Sequence, residues 1–168
     1  MATWAAGLYL ALLVGLLACA VLPLLAGWRG NLIVSDSMAP TLPAGSVLMT
    51  SPPERGTQPR TGAVVVVSDA GAAGGALAHR IVGREHGRLI LQGDANPTPD
   101  MHRVAAADVR GVARLAVPYV GKPAVWARDR TVLPLAVWVV LTAGAIVVVT
   151  GRRARPRPLE IRPVAQAG

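Results

Sequence analysis

The chain has no phenylalanine, one cysteine and one lysine, and only nine acidic side chains in 168 residues. Each shortage excludes something. The single thiol, Cys19, cannot close a disulfide within the chain, and no cysteine and histidine spacing matches a metal site. No metal or cofactor is expected, so the fold must be held by its core and its anchors. The lone Lys122 sits beside Pro123, and a serine–lysine pair would require it to fold back. Charged residues are 15% of the chain against 52% hydrophobic ones, a membrane-like balance. The formal net charge of +8 is unevenly placed. Residues 30–125 hold nine basic and seven acidic side chains, whereas residues 126–168 hold seven arginines and two acids. No basic face interleaved with aromatics appears in the middle of the chain, so nucleic acid is not an expected partner.

Long apolar runs are present. Residues 2–28 carry no charged side chain, and residues 4–26 are almost wholly apolar. At about 1.5 Å per residue that length crosses a hydrocarbon core of roughly 30 Å. Trp4 and Trp28 bracket the run as interfacial aromatics do. A cleaved signal peptide would carry a positive start and a shorter core. Leu16-Leu17-Ala18-Cys19 loosely resembles a lipobox, but the residues after it are apolar rather than a polar tether. An uncleaved transmembrane helix over residues 4–26 is therefore expected. Residues 131–150 form a second uncharged span. Arg128, Asp129 and Arg130 stop it on one side, and Arg152, Arg153, Arg155 and Arg157 on the other. The four arginines mark the cytoplasmic side. The reading is a multi-pass protein of the cell membrane with both termini cytoplasmic. An extracytoplasmic domain at residues 30–125 lies between the spans, and the bilayer is an expected partner. The basic tail, 151–168, is Pro- and Arg-rich and is expected to be disordered.

The middle domain reads as mainly β. Residues 46–50 give a short strand signal, and residues 51–56 a loop. Residues 63–67 form a β-branched run suited to a buried strand. Residues 68–75 read as a flexible Gly/Ala loop. Residues 79–82 and 88–92 read as strands joined by a hairpin connection at 83–87. Residues 109–117 read as the last strand, and no amphipathic helix of twelve residues or more is expected in the domain.

Within this domain lie the residues that can carry chemistry. Val34-Ser35-Asp36-Ser37-Met38-Ala39-Pro40-Thr41-Leu42 starts eight residues past the first span. A serine hydroxyl needs a base to take its proton. His79, at the head of a strand-like segment, is the best placed; His86 sits in a Gly-flanked turn and His102 follows a loop. An imidazole suits proton transfer near neutral pH, and a carboxylate on its other nitrogen fixes the tautomer. Asp94 and Asp100, in a loop stiffened by Pro97 and Pro99, are the candidates. The backbone N–H of Ser37 and the hydroxyl of Ser35 are plausible donors to an oxyanion.

These motifs resemble the signal peptidase I family, in its endoplasmic-reticulum-type branch. Ser35-Asp36-Ser37-Met38-Ala39-Pro40-Thr41-Leu42 is similar to its nucleophile box, and Gly62-Ala63-Val64-Val65-Val66 to its second box. His79-Arg80-Ile81-Val82 resembles the box that carries lysine in the other bacterial branch. Gly93-Asp94-Ala95-Asn96 with Asp100 resembles the fourth, and residues 111–121 the closing segment. The resemblance runs from about residue 31 to 121. It implies Ser37 as nucleophile, His79 as general base, Asp100 as the carboxylate orienting it and Asp94 as a supporting carboxylate. Ser35 would lend the oxyanion donor. It also implies an antiparallel signal-peptidase-like β fold flanked by two transmembrane helices. The implied substrates are signal peptides of secreted preproteins, cut after a small residue, with the protein-export machinery as a further partner. Two positions depart from the pattern: Ala63 replaces an aspartate, and Asp36 stands where glycine is common.

Other functional classes remain open at this point. One is a specialised peptidase of the same fold for a few pilin-like or matrix substrates. A second is a non-catalytic bitopic scaffold, in which Ser37, His79 and Asp100 would be replaceable. A regulatory self-cleaving protease would need a serine–lysine dyad and a DNA-binding segment, and neither is present.

Overall fold

The structure is a computed structural model and describes residues 2–54, 57–68 and 76–153. Helix α1, Ala2–Leu25, is apolar throughout. It ends because Gly27 adopts φ +79°, a left-handed conformation that glycine takes without a Cβ penalty. The Gly27 N–H then donates to Leu24 O at 3.0 Å and the Trp28 N–H to Pro23 O at 3.2 Å. This pair of bonds caps the last turn and satisfies otherwise orphaned carbonyls. The chain passes straight into strand β1, Arg29–Leu32. Nothing in the sequence marks this strand, because Gly30 and Asn31 are poor strand formers. Its extended conformation comes from antiparallel pairing with β2, Val47–Ser51.

The remaining strands are β3, Val64–Ser68, β4, Ala76–Glu85, β5, Arg88–Gln92, and β6, Val109–Val117. All neighbours pair antiparallel, and the order across the sheet is β1-β2-β6-β3-β4-β5. The β4–β5 connection is tighter than the expected 83–87. Strand β4 runs on to Glu85, and the turn is His86-Gly87 alone, with φ of 48° and 75°. Two consecutive positive φ angles make the hairpin turn whose twist matches its flanking strands. The register also shifts between Ile81 and Gly83.

Strand β3 explains its own unbroken valine run, because both of its faces are covered. Val64 and Val66 pack with Ile33, Met38, Leu42 and Leu48. Val65 and Val67 pack on the opposite face with Ile81, Leu89, Leu91 and Val109. A strand with one wet face would alternate polar and apolar residues; this one need not.

After β6 comes a short helix the sequence did not announce, α2, Lys122–Arg128. Helix α3, Val132–Arg153, follows. Both α1 and α3 are long and apolar enough to cross a membrane, each with a mean hydropathy of 2.6 in its most apolar window. The two helices touch, and the Tyr9 and Thr142 hydroxyls are 2.8 Å apart. Helix α3 extends past the expected limit at 150, so Arg152 and Arg153 are helical rather than part of a disordered tail. The rest of that tail, 154–168, lies outside the described residues. So do positions 69–75 of the expected Gly/Ala loop and 55–56 of the expected 51–56 loop; Ser68 belongs to β3.

Candidate active site

Residues 33–46 form a loop closed at its base by two backbone bonds. The Ile33 N–H donates to Ser46 O at 2.9 Å, and the Gly45 N–H to Ile33 O at 2.8 Å. Inside it, Met38 and Leu42 are buried in the first core cluster. Their burial follows from their chemistry, and it fixes the residues beside them. Ser37, adjacent to Met38, is held half-buried.

His79 comes to the same place from β4, opposite Val65 in β3. It is only 4% exposed. Its Nε2 lies 3.3 Å from Ser37 Oγ, and its Nδ1 lies 2.6 Å from Asp100 Oδ2. A carboxylate can only accept, so Nδ1–H donates to Asp100 and Nε2 turns its lone pair to the serine hydroxyl, a tautomer assigned from this network. Asp100 is itself fixed. Its N–H donates to Leu91 O at 2.8 Å, and its carbonyl accepts from Arg103 Nη1 at 2.8 Å. Arg103 Nε in turn donates to Glu85 at 2.9 Å.

The two candidate carboxylates thus separate. Asp100 touches the imidazole. Asp94 instead binds the neighbouring Arg80 through two bonds, Nε to Oδ1 at 2.8 Å and Nη2 to Oδ2 at 2.7 Å. Arg80 Nη1 also donates to Gly62 O at 2.8 Å. These bonds tie the 93–100 loop to β4 one residue from His79. The hydrogen bonds from Arg80 hold the Asp94 carboxyl below its usual range; burial opposes this and the Thr41 hydroxyl adds to it. Arg80 is raised by the same bond. Because the folded-state value lies below the unfolded one, the pair stabilises the fold above about pH 4 and the gain is lost as pH falls through the folded-state value. Asp94→Asn therefore melts at a lower temperature than the wild type at pH 7, and the gap narrows toward pH 3. Thermal melts across that range check it.

Backbone groups of the same loop meet the serine directly. The Ala95 N–H donates to Ser37 O at 2.9 Å, and the Asn96 N–H to Gly93 O at 2.9 Å. Ser35 Oγ lies 3.3 Å from Ser37 Oγ. Among the described residues, the Ser37 N–H has no hydrogen-bond partner. Lys122, the alternative base, lays its side-chain stem against Gly45, and the group within hydrogen-bonding reach of Ser37 is His79. His86 occupies the hairpin turn and His102 is exposed; neither joins the cluster. Sequence reading missed Arg80, Arg103 and Gly93 as organisers of the site. Arg80 follows the histidine and Gly93 precedes Asp94, but a backbone approach leaves no compositional trace.

A small cavity of about 60 Å³ opens beside Ser37, walled by Ile33, Met38, Leu77 and Ala78. A cleft of about 380 Å³ is lined by Pro53, Glu54, Arg60 and Arg114 and reaches none of Ser37, His79 or Asp100. The small cavity, and not this cleft, touches Ser37. Among the described residues, no group of three or more His, Cys, Asp or Glu side chains is placed to hold a metal ion. The arrangement can move a proton from Ser37 Oγ to His79 and stabilise the resulting imidazolium through Asp100. Comparison with known proteins gives no match, either to a protein-family model or to a curated protein.

Proposed function

We propose that this chain is a membrane-bound serine endopeptidase that removes signal peptides from exported preproteins, on a signal-peptidase-like β fold with its catalytic domain outside the membrane and both termini in the cytoplasm. The observation that carries the reading is the Ser37–His79–Asp100 chain of hydrogen bonds. It sits in a β domain joined to two helices long enough to span a bilayer.

In this mechanism Ser37 Oγ attacks the scissile carbonyl as His79 Nε2 takes its proton. Asp100 keeps the ring oriented and stabilises its charged form without taking the proton. The Ser37 N–H and Ser35 hydroxyl face the developing oxyanion. His79 then returns the proton to the leaving amine, which departs as the new N-terminus. Water, activated by the same histidine, hydrolyses the acyl-serine and releases the signal peptide.

A stretch of β4 also supports the reading. In β4, residues 76–79 pair with β3 on one side, while pairing with β5 begins only at Arg80. Among the described residues no strand pairs with the other side of 76–79, and an extended peptide can add there as a further strand. Its residue before the cleaved bond would then enter the small cavity beside Ser37, between Met38, Leu77 and Ala78. Changing that substrate residue from alanine to leucine lowers kcat/KM by about 100-fold or more, because each misfitting methylene costs roughly 1–3 kcal/mol. The full chain reconstituted in liposomes tests the reading with a preprotein carrying an Ala-x-Ala signal. The expected product begins at the residue after the second alanine, by N-terminal sequencing. An uncut preprotein, or a leucine variant cut equally well, overturns it.

A further inference from the structure

Asp36 departs from the family pattern, and the loop geometry gives it a task. Its side chain turns away from the reacting atoms, and its Oδ1 accepts the Ala44 N–H at 2.9 Å. That N–H belongs to a buried residue and has no other partner among the described residues. The Asp36 carbonyl also accepts the Ala39 N–H at 2.9 Å. One residue therefore holds both the turn that carries Ser37 and the far limb of the loop. The far limb is braced in turn. Gly45 O accepts the Gly121 N–H at 2.9 Å. A Cβ on Gly45 would lie 2.6 Å from the Lys122 stem, so the chain entering α2 is packed directly onto Gly45.

We propose that Asp36 is a positioning residue for the reaction: its side chain buckles the nucleophile loop at Ala44, against the entry to the second span, and so fixes Ser37 Oγ within reach of His79. The role rests on the peptidase reading above. It requires an acceptor oxygen at Oδ1, not a charge, which sets it apart from an electrostatic effect on the serine. Asparagine supplies that oxygen; alanine and glycine do not.

The test uses the full chain in liposomes with the Ala-x-Ala preprotein, comparing wild type, Asp36→Asn, Asp36→Ala, Asp36→Gly and Ser37→Ala. Loss of one hydrogen bond to a solvent-accessible side chain lowers kcat by about 3- to 10-fold in the alanine and glycine variants, with KM unchanged. Asparagine restores kcat to within about twofold, since the acceptor geometry is kept. Hydrogen exchange at the Ala44 amide quickens in the alanine and glycine variants and not in the asparagine one. A wild type that cleaves, with an alanine variant equal to it, overturns the role of Asp36 alone. So does an asparagine variant as impaired as the alanine one. A wild type no better than Ser37→Ala overturns the peptidase reading and this role with it.

Discussion

His79→Gln lowers kcat by about 10²- to 10⁴-fold, the usual contribution of a positioned general base, while the folded chain persists. Glutamine fills most of the imidazole's volume and can still donate toward Asp100, so the site keeps its shape and loses its proton acceptor. The carboxylates grade the effect. Asp100 is 2.6 Å from Nδ1, so Asp100→Asn offers the ring an N–H where it needs an acceptor and disturbs the tautomer itself. Asp94 accepts hydrogen bonds from Arg80 rather than from His79. Asp100→Asn therefore costs more kcat than Asp94→Asn, whereas Asp94→Asn costs more thermal stability at neutral pH. Steady-state kinetics and melting of the three variants check the ranking, and equal losses in kcat for the two aspartates would contradict it.

Gly93→Ala, a change of one methyl group, lowers kcat by about 100-fold, the order associated with a misplacement of about 1 Å. A Cβ at this position would lie 2.5 Å from the Ser37 carbonyl oxygen, 2.9 Å from Asn96 Nδ2 and 3.0 Å from His79 Nε2. The first contact is with backbone, so the strain cannot be relieved by turning a flexible side chain. Either the 93–100 loop retreats, breaking the Ala95 N–H to Ser37 O bond, or Ser37 moves off His79. Both outcomes strike the nucleophile and the base together. Gly87→Ala serves as a comparison. A Cβ there meets nothing within 4 Å, although the positive φ adds some strain of its own. Kinetics of both variants beside a melting curve separate a displaced site from an unfolded one. A Gly93→Ala variant with wild-type kcat would mean that the serine–histidine approach is not set by this contact.

Much of the framework could be read from residue types, and the exceptions have physical causes. The valine run of β3 and the apolar spans declare themselves because burial on every side demands uninterrupted hydrophobicity. Strand β1 did not, since its conformation is imposed by the Arg29–Thr50 to Leu32–Val47 register rather than by its own four residues. The hairpin turn is tighter than the run 83–87 suggests because His86 adopts φ 48° beside a glycine, a conformation that residue type alone does not announce. Ser37, His79 and Asp100 were legible as candidates, whereas the choice between Asp94 and Asp100 was not. That choice depends on Arg80 capturing Asp94 on one side of the loop while the Asp100 N–H is tied to Leu91 O. The task of Asp36 was hidden for the same reason, its partner being a backbone amide eight residues away.

The most direct measurement compares the wild-type chain with Ser37→Ala, each purified and reconstituted, for release of the mature protein from an Ala-x-Ala preprotein. Cleavage by the wild type, with a loss of at least about 10³-fold in the variant, is expected for removal of a covalent nucleophile. Equal cleavage by both chains would show that Ser37 is not the nucleophile, and no cleavage by either would contradict the signal-peptide substrate.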